Sequence, residues 1–362
     1  MNYILLKDIC SINMGQSPDS NSYNENGEGI PFFQGNGDFG EKYPVTRKWC
    51  SKPIKIANPE DILISVRAPI GAINYAKEKC CIGRGLAALT PDKSKVLSSF
   101  VFWVLKSKNQ ELNNKGTGST FKAIGRKVLE ETKVPNISLE DQVTCIEILE
   151  RVYSVIQLKR QELQKLDALI KARFVEMFGE PRINPNTYPT KMIKDTCIVI
   201  TGNTPSRKVD EYYGDAIEWI KTDNIVSGLL YPTVASESLS DSGKAVGRTV
   251  DAGAVLMACI AGSVASIGRV CITDREVAFN QQINAIVPKE YDVRFLHALL
   301  QISKDYLVED INIALKGIMS KSKLEEKEFI VPSMEEQVGF AEFVEQVDKS
   351  KFGRDMIMNM FR

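Results

Sequence analysis

The sequence has one histidine, His297, and no C-x-x-C pair among its eight cysteines at 10, 50, 80, 81, 145, 197, 259 and 271. Zinc sites and disulfide frameworks draw on those residues, so neither is expected, and the cysteines read as reduced thiols. Charge of one sign is not in excess either: Lys+Arg and Asp+Glu stand at 46 each. Nothing global therefore marks a nucleic-acid binder. The longest uncharged stretch, between Asp251 and Arg269, contains three glycines and two serines and makes a poor membrane span. The opening Met1-Asn2-Tyr3-Ile4-Leu5-Leu6-Lys7-Asp8 meets an acid too early for a secretory h-region, so the expected location is the cytoplasm, with no membrane partner.

Catalytic signatures are missing as well. There is no P-loop, no G-x-S-x-G elbow and no H-E-x-x-H zinc motif. Gly35-Asn36-Gly37-Asp38-Phe39-Gly40 satisfies G-x-G-x-x-G, but Glu41-Lys42-Tyr43-Pro44-Val45 is a poor helix start, so a turn between strands is expected there. His297 lies in Phe295-Leu296-His297-Ala298-Leu299-Leu300 and reads as a packed helix residue. The carboxylates single out no catalytic pair, and the chain is not expected to be an enzyme.

What is present is a repeat. An apolar fraction of 43% and a charged fraction of 25% are ordinary for a globular chain, and 362 residues suggest two domains with some chain left over. Lys7-Asp8-x-Cys10-x4-Gly15-x2-Pro18 matches Lys194-Asp195-x-Cys197-x4-Gly202-x2-Pro205. Further on, Ile70-Gly71 meets Ile267-Gly268, Pro91 meets Pro288, and Val134-Pro135 meets Val331-Pro332. So many matches in order indicate a tandem duplication. Residues 1–140 carry 19 basic and 14 acidic side chains, and 181–332 carry 17 and 19, so the first copy has the basic bias.

Each copy has two parts. The first mixes short β-type runs, such as 61–66 and 254–258, with turns and a short helix at 98–112 or 292–308. The second is helical. From Leu139 to Phe178 there is neither proline nor glycine, and positions 149, 152, 156, 159, 163, 166, 170, 173 and 177 alternate steps of three and four. That is a heptad seam with two charged interruptions, Lys159 and Arg173. Ser138 and Asp141 suit its start, and Gly179 with Pro181 its stop. The second copy opens alike at Ser333-Met334-Glu335-Glu336-Gln337-Val338 but ends after only 30 residues. The expected class is α+β: two similar mixed α/β domains joined by long helices in an antiparallel coiled coil, with a pseudo-twofold. The expected boundaries are 1–137 and 181–332 for the domains, and 138–180 and 333–362 for the helices. Val155, Leu158, Leu169, Phe174 and Phe178 lie beyond the seam and are candidates for docking a partner protein.

Two similar modules suit a bipartite target, and duplex DNA is the common ligand with two-fold backbone symmetry. The sequence resembles the specificity subunit of type I restriction–modification systems over nearly its whole length. The resemblance rests on Gly202-Asn203-Thr204-Pro205, Ile217-Glu218-Trp219-Ile220-Lys221-Thr222-Asp223, Asn280-Gln281-Gln282, the Val-Pro…Gln entry to each helix, and the run from Leu166 to Gly179. It implies two target recognition domains, double-stranded DNA as ligand, and two modification subunits as partners, with restriction subunits as a further addition. S-adenosylmethionine, and ATP with magnesium for restriction, belong on those partners, and no cofactor is expected on this chain. The rival expectations are a two-domain protein-binding adaptor and a truncated, non-productive specificity subunit.

Two departures stand out. Gly83-Arg84-Gly85 replaces Asn280-Gln281-Gln282 in the first copy, so the domains are not expected to share a recognition rule. The C-terminal helix is expected to stop after Phe352, at Gly353. Candidate DNA-facing residues in the first copy are Gln34, Asn36, Arg67, Arg84, Lys115, Thr117, Ser119 and Lys122. In the second they are Lys221, Thr222, Asp223, Asn224, Gln281, Gln282, Lys316, Ser320 and Lys321. Arg and Lys suit guanine, Asn and Gln suit adenine, and small basic loops suit phosphate.

Overall fold

The computed structural model describes residues 2–118, 122–260, 266–309 and 317–359, with side chains described as far as Lys351. Two compact units, residues 1–156 and 157–362, divide the chain inside its central helix, Leu139–Phe178.

The first unit contains three small sheets. Strands Cys10–Met14, Leu86–Pro91, Ile62–Ser65 and Ile73–Tyr75 form an antiparallel sheet in that order. A five-stranded sheet runs Tyr23–Asn24, Trp49–Cys50, Ile30–Phe33, Cys80–Ile82, Ile56–Ala57, with one parallel pair between Phe32–Phe33 and Cys81–Ile82. Tyr3–Leu5 pairs with Lys133–Pro135. The two central strands of the four-stranded sheet are buried on both faces, which is why Ile62-Leu63-Ile64 and Leu86-Ala87-Ala88-Leu89 are continuous apolar runs without alternation. One face packs on Leu6, Phe100, Val101, Leu105 and Leu129, the other on Phe33, Ala57 and Ile82.

The second unit repeats this strand for strand. Cys197–Thr201, Ile283–Pro288, Val255–Ala258 and Val270–Ile272 make the four-stranded sheet. Tyr213–Gly214, Ser238–Leu239, Ile217–Ile220, Val277–Phe279 and Thr249–Val250 make the five-stranded one. Thr190–Met192 pairs with Glu328–Ile330. The duplication read from sequence is thus a duplication of topology. Each predicted short helix is broken into two: Ser98–Ser107 and Asn109–Asn114, then Val293–Ile302 and Lys304–Val308. The break residues, Lys108 and Ser303, have ψ of 7° and 18°, outside the helical range.

The central helix runs its expected 40 residues. The C-terminal helix, Met334–Asn359, corrects the expected stop, because it continues through Gly353. One glycine costs a helix interior roughly 1 kcal/mol, which does not by itself end it. Within the second unit this helix packs antiparallel to the latter part of the central one. Lys351 pairs with Asp167 at 2.7 Å, while Phe340 meets Phe174 and Phe178 at ring separations of 5.3 and 5.7 Å. Phe174 and Phe178 are therefore not partner-docking residues. Both are fully buried with Phe295 and Phe340 in the core of the second unit. Val155, Leu158 and Leu169 are exposed by 50, 63 and 46%.

Candidate nucleic-acid interface

In the first unit a ladder of backbone hydrogen bonds brings the candidate loops to one edge. Gly85 N donates to Gln34 O (3.1 Å), Val66 N to Gly85 O (2.9 Å), and Ile124 N to Val66 O (2.9 Å). Arg67 and Thr117 then both bridge to Ala123, and Ala68 N donates to Lys122 O (3.0 Å). Gln34, Arg67, Arg84, Thr117 and Lys122, far apart in sequence, thus sit exposed on one continuous strip. The strip works sterically because of its glycines. A Cβ on Gly83 would lie 2.5 Å from the Gln34 side chain, and one on Gly85 would lie 2.4 Å from Gln34 O.

Gln34 is itself positioned. Its N–H donates to Asp38 Oδ2 (2.7 Å) across a single 3₁₀ turn at Asn36–Asp38, the observed form of the G-x-G-x-x-G segment. Its side-chain amide donates to Ser17 Oγ (2.9 Å), which also accepts from Arg84 N (3.3 Å). Asn36 lies in that turn, half-buried. Lys115 is the outlier of the set. It pairs with Glu111 at 2.6 Å, and together with Lys108 it holds the Glu111 carboxyl down at about 2. Ser119 lies outside the described residues.

The second unit builds the same edge. Asn280 N donates to Ile220 O (3.1 Å), Cys259 N to Gln282 O (2.8 Å), and Met319 N to Cys259 O (2.9 Å), with Ile260 bridged to Ile318. Lys221, Gln281 and Ser320 follow directly on these bonds. Thr204 takes the place of Ser17, its hydroxyl bonded to the Gln281 side chain. Lys221 Nζ pairs with Glu237 (2.8 Å) and lies 5.1 Å from the Trp219 ring centre. Arg207 shares Glu237 and stacks on Tyr213 at 4.3 Å. The two cations hold the Glu237 carboxyl below the ordinary carboxylate range.

Several second-copy candidates prove structural. Asn224 is buried: its Oδ1 accepts from Lys221 N (2.9 Å) and its Nδ2 donates to Thr233 and Val234, so it holds the turn instead of reading a base. Thr222 is half-buried, and its carbonyl accepts from Arg269 (3.0 Å). Gln282 is tied through its side chain to Asn280. Ser320 caps the helix Lys321–Glu325, accepting from Lys323 N (3.3 Å), and Lys321 pairs with Glu325 at 3.5 Å. Asp223 and Gln281 are exposed, and Lys316 lies outside the described residues.

The selection by sequence missed Ser17, Thr204 and Arg207. The first two had a signal: each stands third in the repeated Gly-x-x-Pro of 15–18 and 202–205. That motif exists because a Cβ on Gly15 or Gly202 would lie 2.2 Å from the carbonyl oxygen of Gly83 or Asn280. Arg207 had no repeat to reveal it.

A difference of charge separates the edges. Arg67, Arg84 and Lys122 make no ion pair among the described residues, whereas Lys221 and Lys321 are both paired. The arrangement offers hydrogen-bond donors, acceptors and cations on an exposed strip, with no cluster of His, Cys, Asp and Glu that could hold a metal among the described residues.

Comparison with known proteins agrees with the duplication. The family model of the type I restriction modification DNA specificity domain matches residues 1–168 and again 185–353. The chain belongs to this family. A specificity subunit of the type I restriction enzyme MjaX from Methanocaldococcus jannaschii is 46% identical over 154 residues, covering 42% of this chain and 36% of the relative. The HsdS subunit from Thermoanaerobacter tengcongensis is 42% identical over 44% of this chain and 39% of its own, with a TM-score of 0.41. The type I specificity subunit from M. genitalium covers 99% of this chain and 92% of its own at a TM-score of 0.52, and its 13% identity makes it a likeness of fold. The chain spans between a third and just under half of the length of these curated relatives. Specificity domains of this family thus occur here twice, each with its own loop chemistry.

Proposed function

We propose that the chain is the DNA-recognition component of a type I restriction–modification complex. Each unit reads one half of a split, asymmetric target, and partner modification subunits methylate adenine at N6. The observation that carries this reading is the doubled edge. The same backbone ladder presents Ser17, Gln34 and Arg84 in one unit but Thr204, Lys221 and Gln281 in the other. One scaffold with two sets of donors and acceptors is what two different half-sites require. Arg84 suits guanine or phosphate, and Gln34 and Gln281 suit adenine.

The chemistry itself belongs to partners, with S-adenosylmethionine on the modification subunits and ATP with magnesium on any restriction subunits. The test is co-expression with a modification subunit, followed by genome-wide mapping of N6-methyladenine. The expected result is one split, non-palindromic motif that disappears when this gene is deleted. A stable complex with no methylation, or with methylation unaffected by the deletion, would count against the reading. The adaptor alternative predicts a protein complex that gives no DNA footprint.

A further inference from the structure

The two edges differ sharply at one connection. In both units the tyrosine beyond the Gly-x-x-Pro motif bonds back to its proline: Tyr23 Oη donates to Pro18 O and Tyr213 Oη to Pro205 O, each at 2.7 Å. The chain between them is residues 19–22 in the first unit and the longer 206–212 in the second. The short connection contains no Lys or Arg, and Tyr23 stacks on Phe32 with 4.5 Å between ring centres. The long one carries Arg207. Its guanidinium lies over the equivalent pair, 4.3 Å from the Tyr213 ring centre and 5.1 Å from that of Trp219, and these two rings stand edge to face at 6.1 Å. The neighbouring charge is reversed as well. Phe32 N donates to Lys48 O and Trp219 N to Glu237 O, so Lys48 and Glu237 are equivalent positions. Glu237 Oε2 holds Arg207 at 2.5 Å and its Oε1 holds Lys221 at 2.8 Å. One carboxylate between two cations leaves one positive charge uncompensated.

We infer that Arg207 reads a guanine in the half-site of the second unit, and that Glu237 is the positioning residue that aims it. The inference rests on the DNA reading proposed above and names one base of the target. Arg207 belongs to the recognition edge. The Thr204 hydroxyl, in the same loop, bonds to the Gln281 side chain, and Trp219 Nε1 ties that loop down by donating to Asn203 O at 3.3 Å. The Arg207 side chain is 54% exposed, and among the described residues only its Nη2 donates a hydrogen bond. A guanidinium laid on a ring and held at one corner by a carboxylate keeps further N–H groups for the fork onto guanine O6 and N7. Lysine keeps the charge and lacks the fork, so the two contributions are separable here. The first unit, with Lys48 and no cation at residues 19–22, has no equivalent reader.

The test maps N6-methyladenine for the complex with a modification subunit, comparing the unsubstituted chain with Arg207→Lys, Arg207→Ala and Glu237→Gln. In Arg207→Lys one guanine of one half-site should lose its preference about tenfold or more, while the other half-site stays unchanged. Arg207→Ala should relax the same position, and Glu237→Gln should relax it by a smaller factor and touch no other. Thermal unfolding checks that each variant is folded. A guanine still required by both Arg207 variants overturns the inference. So does a uniform loss of binding across all sequences with a lower salt slope, which marks a phosphate contact. A Glu237→Gln chain that reads the position as strictly as the unsubstituted one overturns the part given to Glu237. Absence of any split motif with the unsubstituted chain sinks the DNA reading and this inference with it, whereas an intact motif indifferent to Arg207 sinks this inference alone.

Discussion

Single residues on this protein matter most where backbone comes close to backbone. A Cβ on Gly202 would meet the carbonyl oxygens of Asn280 at 2.2 Å and Phe279 at 2.5 Å, neither on a flexible side chain. Gly202→Ala should therefore destabilise the second unit by about 2–4 kcal/mol, measured by chemical denaturation. His297 gives a second prediction. Burial pushes its imidazole down to about 4, and the ring N–H bonds to the Val270 backbone. The unfolded value is near 6.5, so between the two the unfolded chain binds more protons. The stabilisation is fully present above that upper value and is lost as pH falls to about 4. His297→Met should flatten the stability–pH curve in this window by up to about 3 kcal/mol. An unchanged slope would show that the imidazole is not held neutral. Among the proposed DNA-facing residues, Arg84→Ala should lower the salt dependence of DNA binding by about one phosphate, because Arg84 makes no ion pair among the described residues. Lys221→Ala should lower it less, since Lys221 is neutralised by Glu237.

Whole elements are set by their ends as much as by their faces. The central helix begins at Ser138, whose hydroxyl accepts from Asp141 N (3.1 Å) and donates to Asp141 Oδ2 (2.7 Å). Ser333 plays the same part with Glu336 at the C-terminal helix. Ser138→Ala should cost about 1 kcal/mol, read by thermal unfolding. The interior of the central helix was evident from its heptads, but the fate of its outer apolar residues was not. Spacing alone places Phe174 and Phe178 off the seam, and the same spacing serves a docking face or a wider core. Only the arrival of Phe295 and Phe340 makes them core.

For the molecule as a whole, duplication is the governing fact. Two topologically identical units, joined by one helix, suit a target whose halves are read separately and whose spacer depends on helix length. Inserting one heptad into each long helix should widen the spacer and leave both half-sites unchanged, as mapped by N6-methyladenine. If the half-site bases changed while the spacer did not, the helices would not set the spacing.

Repeats and periodicities carry far in one dimension, and what they carried here is clear. The duplication, the 40-residue helix and its cap, and the turn at residues 35–40 follow from local residue order, because glycine, proline and heptad spacing act on the chain nearby. Tertiary structure decided the rest. Gln34, Arg67, Arg84 and Thr117 meet only through hydrogen bonds between distant strand ends. Asn224 looks like any exposed amide in sequence until Thr233 and Val234 fold over it. Which polar groups remain on the surface depends on which backbone N–H and C=O groups need partners, and that is known only once the chain has closed on itself.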